Sequence, residues 1–468
     1  MRFAMRPFAL AAALAVIAAA PAPDPLAAIA AANGHAASAH LRAAGKRVVE
    51  GRTVTTVVDQ LGTQRLVHRC INGVCGGTWF DGAREWTFGL NEIALPEEVD
   101  EATLVQRTLF AIASYAFAEP AFRANGGSVT RESGGRWRVR AHDGLELVAV
   151  IDPASHAVQR VDNTAGRTVA VYGREARAAN GATFALDRGG PLESGPLDEV
   201  ALAAGPLAPP AGVVPTFSGD APIALGAEPI PIVPCSLGGR SVRCLLDSGA
   251  TPSAMTLTMA EALGLEPHGE LEIAAFGRFA TGFVDAGPLT LGPVRFERAK
   301  FAVIPQISAA RFEVVVGSDL LGRARLVLDR ARGTARFLPA GTSDAKAANV
   351  VRLTFRSGSP IVQTTVGPHG ARALLDTGDQ AVLSFGYAAY RDGPQWPVLG
   401  RGQAVGIAGS DDILTVAVPE VQVGSLALGP TRATVRRTQG LAHVGIGLWD
   451  RFVVDLDEEA GRASFSPR

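Results

Sequence analysis

The chain has 468 residues, 47% of them hydrophobic, with 53 Gly and 30 Pro. That length suits two or three domains, and the composition excludes a disordered chain in favour of a turn-rich, sheet-based one. Its 44 Lys and Arg against 45 Asp and Glu leave a formal net charge of −1, which gives no electrostatic reason for nucleic acid or an acidic membrane surface as a partner.

At the N-terminus, Arg2 and Arg6 precede the apolar run Phe8 to Ala20. The run is short for a bilayer span and is followed by small residues, so residues 1–32 read as an export signal. Pro21 and Pro23 disfavour cleavage directly after Ala20 and the alanines at 30–32 offer another site, so the cut stays open; an uncleaved anchor is the alternative. No cysteine near the cut marks a lipoprotein. The expected location is periplasmic or secreted, without a membrane span once the signal is removed.

Residues 45–190 form a first region. The segments Arg136–Asp143, Leu145–Pro153 and His156–Asp162 largely alternate apolar and polar residues and are punctuated by Gly, Asp-Pro and Asn, the pattern of antiparallel strands joined by hairpins. Between about Asp100 and Phe117, Leu104, Leu109, Ile112 and Tyr115 recur at near-helical spacing, which predicts a helix against a curved sheet. The strand rhythm resembles the half-barrels of outer-membrane lipoprotein carriers and sorting proteins. No residue carries their role over, and a module that supports folding or docking is the other reading.

Residues 191–216 have linker composition, with Pro191, Pro196, Pro206, Pro209, Pro210 and Pro215. Two units follow, 217–340 and 349–468, separated by the exposed connection Pro339–Ala348.

The four cysteines fall in two local pairs, Cys70 with Cys75 and Cys235 with Cys244. Export makes disulfides possible, and short separations fit two local bridges better than a metal site; free buried thiols are the alternative. The stretch Cys235–Cys244 reads as a hairpin centred on Gly239-Arg240 that places its cysteines opposite each other. No metal and no cofactor are expected, because neither pair has the flanking ligands of a zinc site.

The two units share a motif. Cys244-Leu-Leu-Asp-Ser-Gly-Ala250 and Ala373-Leu-Leu-Asp-Thr-Gly-Asp379 set Asp247 and Asp376 at an offset of 129. The match reaches the units' ends at an offset of 128. Val315-Val-Gly317, Leu321–Asp329 and Arg330–Pro339 parallel His443-Val-Gly445, Trp449–Asp457 and Glu458–Pro467, with Phe337 matching Phe465. Such length makes two chance Asp-hydroxyl-Gly triplets an insufficient explanation.

Each unit resembles one lobe of the retropepsin-like aspartic proteases, the group of the retroviral enzymes and, more distantly, pepsin. The resemblance covers roughly residues 217–468. It implies a mainly β chain: two retropepsin-like β-barrel lobes in tandem, preceded by a separate antiparallel β domain with one or two helices. It also implies one active site within one chain, with Asp247 and Asp376 catalytic. Ser248 and Thr377 would hydrogen-bond across the lobe interface, and Gly317 and Gly445 would pass close beneath the aspartate loops. Gly249 and Gly378 would let the loops turn sharply and bring N–H groups to the carboxylates.

Two apposed carboxylates hold one proton between them, so one can take a proton from water while the other donates to the scissile carbonyl. This chemistry needs no covalent intermediate and none of the eight histidines. Two glycine-bearing stretches, Ala274–Gly282 and Val405–Asp411, occupy the place of mobile flaps. One position departs from the family pattern: Asp379 stands where the first unit has Ala250. A third carboxylate there would raise a neighbour's pKa or disturb substrate binding, unless it points into solvent. The resulting expectation is an exported aspartic-type endopeptidase acting on a peptide or protein substrate. The alternative is a weakly active peptide-binding or envelope-structural protein that retains the fold.

Overall fold

The computed structural model describes residues 24–33, 39–189, 196–275, 277–305, 311–406, 409–437 and 440–468, and the chain is mainly β. The apolar run at 8–20 and any cut beside it lie outside these residues. A helix at Pro25–Asn33 buries Leu26 and Ile29 in the same apolar cluster as Trp137, Val139 and Ile151. Among the described residues, no helix is long and apolar enough to cross a membrane.

The N-terminal region contains two large antiparallel sheets and a separate two-stranded one, Glu175–Arg177 with Thr183–Ala185, where the sequence suggested a single curved sheet. The first runs from His40–Val49 through successive hairpins to Leu95–Pro96. The second comprises strands from Ser128–Arg131 to Arg188–Gly189. The predicted helix spans Glu101–Ala113, with Asp100 as its N-cap accepting from Thr103 N–H, and a 3-10 turn at Ala116–Ala118 follows. Its apolar face buries Leu109 and Ile112 in the cluster shared with the second sheet.

The proline-rich stretch at 191–216 is not wholly a connector. Glu199–Leu202 is a strand paired with His40–Val49, with Leu41 opposite Leu202. Alternation in Glu199-Val-Ala-Leu202 supplies that strand, and the surrounding prolines obscure it in the sequence.

Both cysteine pairs are disulfides. Cys70 and Cys75 face each other across the hairpin turning at Asn72-Gly73. The second hairpin turns one residue earlier than expected, at Gly238-Gly239, both with positive φ. Cys235 therefore lies opposite Val242, and its bridge to Cys244 is diagonal across the strand pair.

Beyond residue 216, two large sheets have the same strand order. The first places Ile232–Leu237, Arg240–Asp247, Val314–Gly317, Ala254–Thr256, Ala299–Ile304, Gly277–Ala286 and His268–Ala275 side by side. The second places Ser359–Val366, His369–Asp376, Ala442–Gly445, Leu383–Gly386, Thr431–Arg436, Gly409–Val418 and Val398–Gly406 in that order. In both, the strand ending in aspartate pairs in parallel with the strand ending in glycine, Asp247 opposite Gly317 and Asp376 opposite Gly445.

A third sheet joins them. The hairpins Ala324–Asp329/Thr334–Pro339 and Phe452–Asp457/Arg462–Pro467 meet edge to edge, with Leu326 opposite Leu456. Their alternating residues bury Leu326, Leu328, Phe337, Val454, Leu456 and Phe465 in one apolar core shared by the three sheets. A continuous core of this kind fixes the two aspartate loops relative to each other.

The segment after the first N-terminal hairpins is sewn into this assembly. Asn91 Nδ2 donates to Asp319 Oδ2 (2.7 Å) and Lys300 O (2.9 Å), and Lys300 N–H donates back to Asn91 Oδ1 (2.7 Å). Leu95 enters the shared core, Glu98 N–H donates to Phe355 O (2.7 Å), and Ser357 N–H donates to the Glu97 carboxylate (3.0 Å).

Burial raises the Glu97 carboxyl to about 7, against the hydrogen bonds from Ser357 and Gly358. The folded chain thus holds this proton to higher pH than the unfolded chain. The resulting stabilisation is present below the ordinary value of 4.5 and is lost as pH rises through about 7. Glu97→Gln, neutral at every pH, is expected to remove that decline. Thermal midpoints measured between pH 4 and 8 should fall with pH more steeply for the native chain; parallel curves would refute the assignment.

Candidate active site

Each aspartate ends an edge-free strand whose preceding leucine, Leu246 in one and Leu375 in the other, is buried. The strands end where the backbone turns, which leaves Asp247 and Asp376 facing each other across the pseudo-equivalent loops. Their carboxyl groups are close enough for each to act on the other's ionisation.

The hydroxyl residues lock the loops. Ser248 N–H donates to Thr377 Oγ1 (2.9 Å), whose hydroxyl donates to Leu246 O (2.7 Å). Reciprocally, Thr377 N–H donates to Ser248 Oγ (3.1 Å), whose hydroxyl donates to Leu375 O (2.6 Å). Both side chains are buried, so these four bonds satisfy groups that water cannot reach.

The glycines serve a different need from the sharp turn read in the sequence. Neither Gly249 nor Gly378 has positive φ. A Cβ on Gly249 would stand 2.5 Å from the Asp376 carboxyl, and one on Gly378 would stand 2.4 Å from Asp247 Oδ2. Glycine is required because each loop approaches the opposite carboxylate. Gly249 N–H also donates to Asp247 Oδ1 and Gly378 N–H to Asp376 Oδ1, both at 2.9 Å. Beneath them, a Cβ on Gly317 would lie 2.4 Å from Ala250 O, and one on Gly445 would lie 2.2 Å from Ala381 O.

Asp379 neither faces solvent nor stands as a free third carboxylate. It is 5% exposed, accepts from Ala381 N–H (3.0 Å) and Ser384 Oγ (2.6 Å), and pairs with Arg436 at 2.8 Å. The arginine supplies the charge that burial of a carboxylate demands.

The histidines are also not all remote. His443 Nδ1 lies 2.9 Å from Asp376 Oδ2 and 3.7 Å from Asp379 Oδ2. The N–H is not aligned for a linear hydrogen bond to Asp376, so the contact is an ion pair when the ring is protonated. Asp376, Asp379 and His443 bring their ligand atoms within 4.8 Å of one another, a spacing that also suits a metal ion. Within this group Arg436 already neutralises Asp379. The other such group, His68 with Cys70 and Cys75, has both sulfurs committed to their disulfide.

Burial, together with the neighbouring Asp376 carboxyl, raises Asp247 well above the usual carboxylate range. Burial also acts to raise Asp376, but the contact with His443 and its charge outweigh this and hold it below the ordinary value. The pair is therefore poised with its proton on Asp247.

Residues 233–320 match the family model for aspartyl proteases. No curated protein matches the chain. The matched segment contains Asp247, Ser248, Gly249 and Gly317, so the first loop and the glycine strand beneath it belong to the matched portion.

Both flap candidates are hairpins: His268–Ala275 with Gly277–Ala286, and Val398–Gly406 with Gly409–Val418. Residue 276 and residues 407–408, at their tips, lie outside the described residues. Gly282 lies within a strand and not at the tip. Leu271, Ile273 and Phe279 of the first hairpin pack with Ala250, Phe312 and Val315 beside the Asp247 loop, an apolar wall that the short motifs did not indicate.

His443 and Arg436 escaped the sequence reading because they are distant in sequence from Asp376, and Ser384 because nothing in its own stretch marks it as a partner of Asp379. A signal existed: His443 stands at the position of Val315, two residues before the matching glycine. A polar residue in one copy where the other is apolar marks a difference in function between otherwise equivalent strands.

Proposed function

We propose that the chain is an exported aspartic-type peptidase with one active site built from Asp247 and Asp376, its two sheets after residue 216 acting as paired lobes (217–340 and 349–468). The observation that carries this reading is the contact of the two carboxyl groups, held by the reciprocal Ser248–Thr377 hydrogen bonds. A structural turn aspartate needs local N–H donors; it does not need a second buried carboxyl as neighbour, which burial makes unfavourable.

In this reading a water molecule between the carboxyls gives a proton to the ionised one as its oxygen attacks the scissile carbonyl carbon. The protonated carboxyl donates to the carbonyl oxygen, and the tetrahedral diol collapses with proton transfer to the leaving amine. An extended peptide would lie between the lobes under the two hairpins. The apolar wall of Phe279, Phe312 and Leu271 favours apolar side chains on the side of the first lobe. The N-terminal region (45–190) with its following stretch (191–216) acts as a brace through Asn91, Leu95 and Glu97.

Digestion of a peptide library across pH, with and without a statin-type inhibitor, tests the proposal. Cleavage that the inhibitor blocks supports it. Absence of cleavage at every pH, or cleavage insensitive to the inhibitor and to loss of the aspartates, would overturn it.

A further inference from the structure

The two lobes are alike in strand order but not in what surrounds their aspartates. In the first sheet Ala254 lies opposite Val315 and Ala302, and Thr256 lies opposite Ile304. In the second, Ser384 lies opposite His443 and Thr434, and Gly386 lies opposite Arg436. Superposing these pairings, Ala250, Ala254, Ile304 and Val315 correspond to Asp379, Ser384, Arg436 and His443. The first four belong to an apolar cluster; the second four form a connected polar chain, from Arg436 to Asp379 to His443 to Asp376, with Ser384 on Asp379.

The change is concerted. A carboxylate introduced alone in place of Ala250 would be a buried unpaired charge, and a lone histidine in place of Val315 would leave a polar ring in an apolar wall. Together they balance: Arg436 answers Asp379, and His443 answers Asp376. No corresponding cation stands beside Asp247 among the described residues, where the wall is apolar.

From this geometry we propose that the polar chain of the second lobe makes the two aspartates unequal, with Asp376 ionised and Asp247 protonated at the start of every turnover, and His443 the positioning residue that enforces this distribution. The proposal rests on the peptidase reading above for the chemical step, though not for the proton distribution. In the step, the Asp376 carboxylate takes a proton from water as the water oxygen bonds to the carbonyl carbon, and Asp247 gives its proton to the carbonyl oxygen. On collapse the C–N bond breaks, the amine nitrogen takes the proton from Asp376, and a diol hydroxyl returns one to Asp247. Atoms and charge balance, and the starting state is restored.

The ionisable groups on the elements around His443 are few. Asp376 and Arg372 lie on the strand His369–Asp376, Asp379 on the following loop, Arg432 and Arg436 on Thr431–Arg436, and Asp247 across the lobe interface. Arg372 is engaged by Glu98 and Arg436 by Asp379, which leaves His443 as the basic side chain in contact with Asp376. A cation at this distance favours the ionised carboxylate. The consequence is an activity window open at the acid side to lower pH than Asp376 would permit alone.

The test uses the full chain with 13C-labelled aspartate γ-carboxyls, the two signals assigned by Asp247→Asn and Asp376→Asn. In His443→Gln the Asp376 titration should move up, and the acid limb of kcat/KM on a cleaved peptide should move with it while KM changes little. His443→Val, which restores the first-lobe residue, should behave in the same way and serves if the Gln variant does not fold. An unmoved Asp376 titration, or ionisation of Asp247 before Asp376 in the native chain, would overturn the proposal. If no peptide is cleaved, the peptidase reading falls, and the carboxyl titrations still decide the proton distribution.

Discussion

Asp247→Asn and Asp376→Asn should each lower kcat/KM for peptide cleavage by about 10²- to 10⁴-fold, the range that a general acid or base contributes, with the fold retained. Asparagine keeps the size of the side chain and a carbonyl oxygen. At position 376 it can therefore still accept from Gly378 N–H and Asp379 N–H, now at 2.9 and 3.1 Å. What it loses is the ability to exchange a proton. Asp247→Asn also removes a carboxyl whose ionisation the fold disfavours, so that variant should be no less stable than the native chain in urea; Asp376→Asn gives up the contact with His443 and should be somewhat less stable. Cleavage at the native rate in either variant would remove the two-aspartate mechanism. Loss of cleavage accompanied by unfolding would show that the aspartates hold the lobes together; the denaturation curve separates that result from loss of chemistry.

Thr377→Val should destabilise the chain by about 2–6 kcal/mol, since it strips partners from two buried backbone groups, each costing about 1–3 kcal/mol when left unsatisfied. Those groups are Ser248 N–H and Leu246 O, now bonded to Thr377 Oγ1 at 2.9 and 2.7 Å. Valine preserves the shape, so packing is not the cause. Ser248→Ala is the mirror experiment, leaving Thr377 N–H and Leu375 O without their partner. Because both residues belong to one network, the double variant should cost less than the two single costs added together. Urea denaturation measures all three. A change below about 0.5 kcal/mol for Thr377→Val, the size of an ordinary surface substitution, would mean that the loops are held by the surrounding core alone.

Much of the site was legible because its parts are local. Asp247-Ser-Gly and Asp376-Thr-Gly each occupy three consecutive positions, and the loop chemistry needs those residue types together. The hydroxyls form the cross-loop bonds expected of them. The glycines were found for an incomplete reason: their neighbours along the chain suggest a turn, whereas the opposing carboxylate that forbids a side chain arrives from 127 or more positions away. Strand alternation likewise marked the hairpins, including that of Cys235 and Cys244. It could not resolve a turn at Gly238-Gly239 from one at Gly239-Arg240, so it missed the diagonal placement of the bridge.

Asp379 illustrates the limit most clearly. By itself it is a carboxylate in a place where the first unit has alanine, and a sequence cannot say whether such a group is paired. Arg436 lies 57 positions further on and His443 seven beyond that; only the sheet brings the three together.

The sequence alone determined the β architecture and the paired Asp-hydroxyl-Gly loops, because alternation and motif spacing act over a few residues. Tertiary structure decided the rest: that the two carboxyls touch, that Gly249 and Gly378 make room for them, and that one aspartate stands against an apolar wall while the other faces a histidine. Each of these depends on strand register across distant segments, where a shift of one residue turns every side chain to the opposite face.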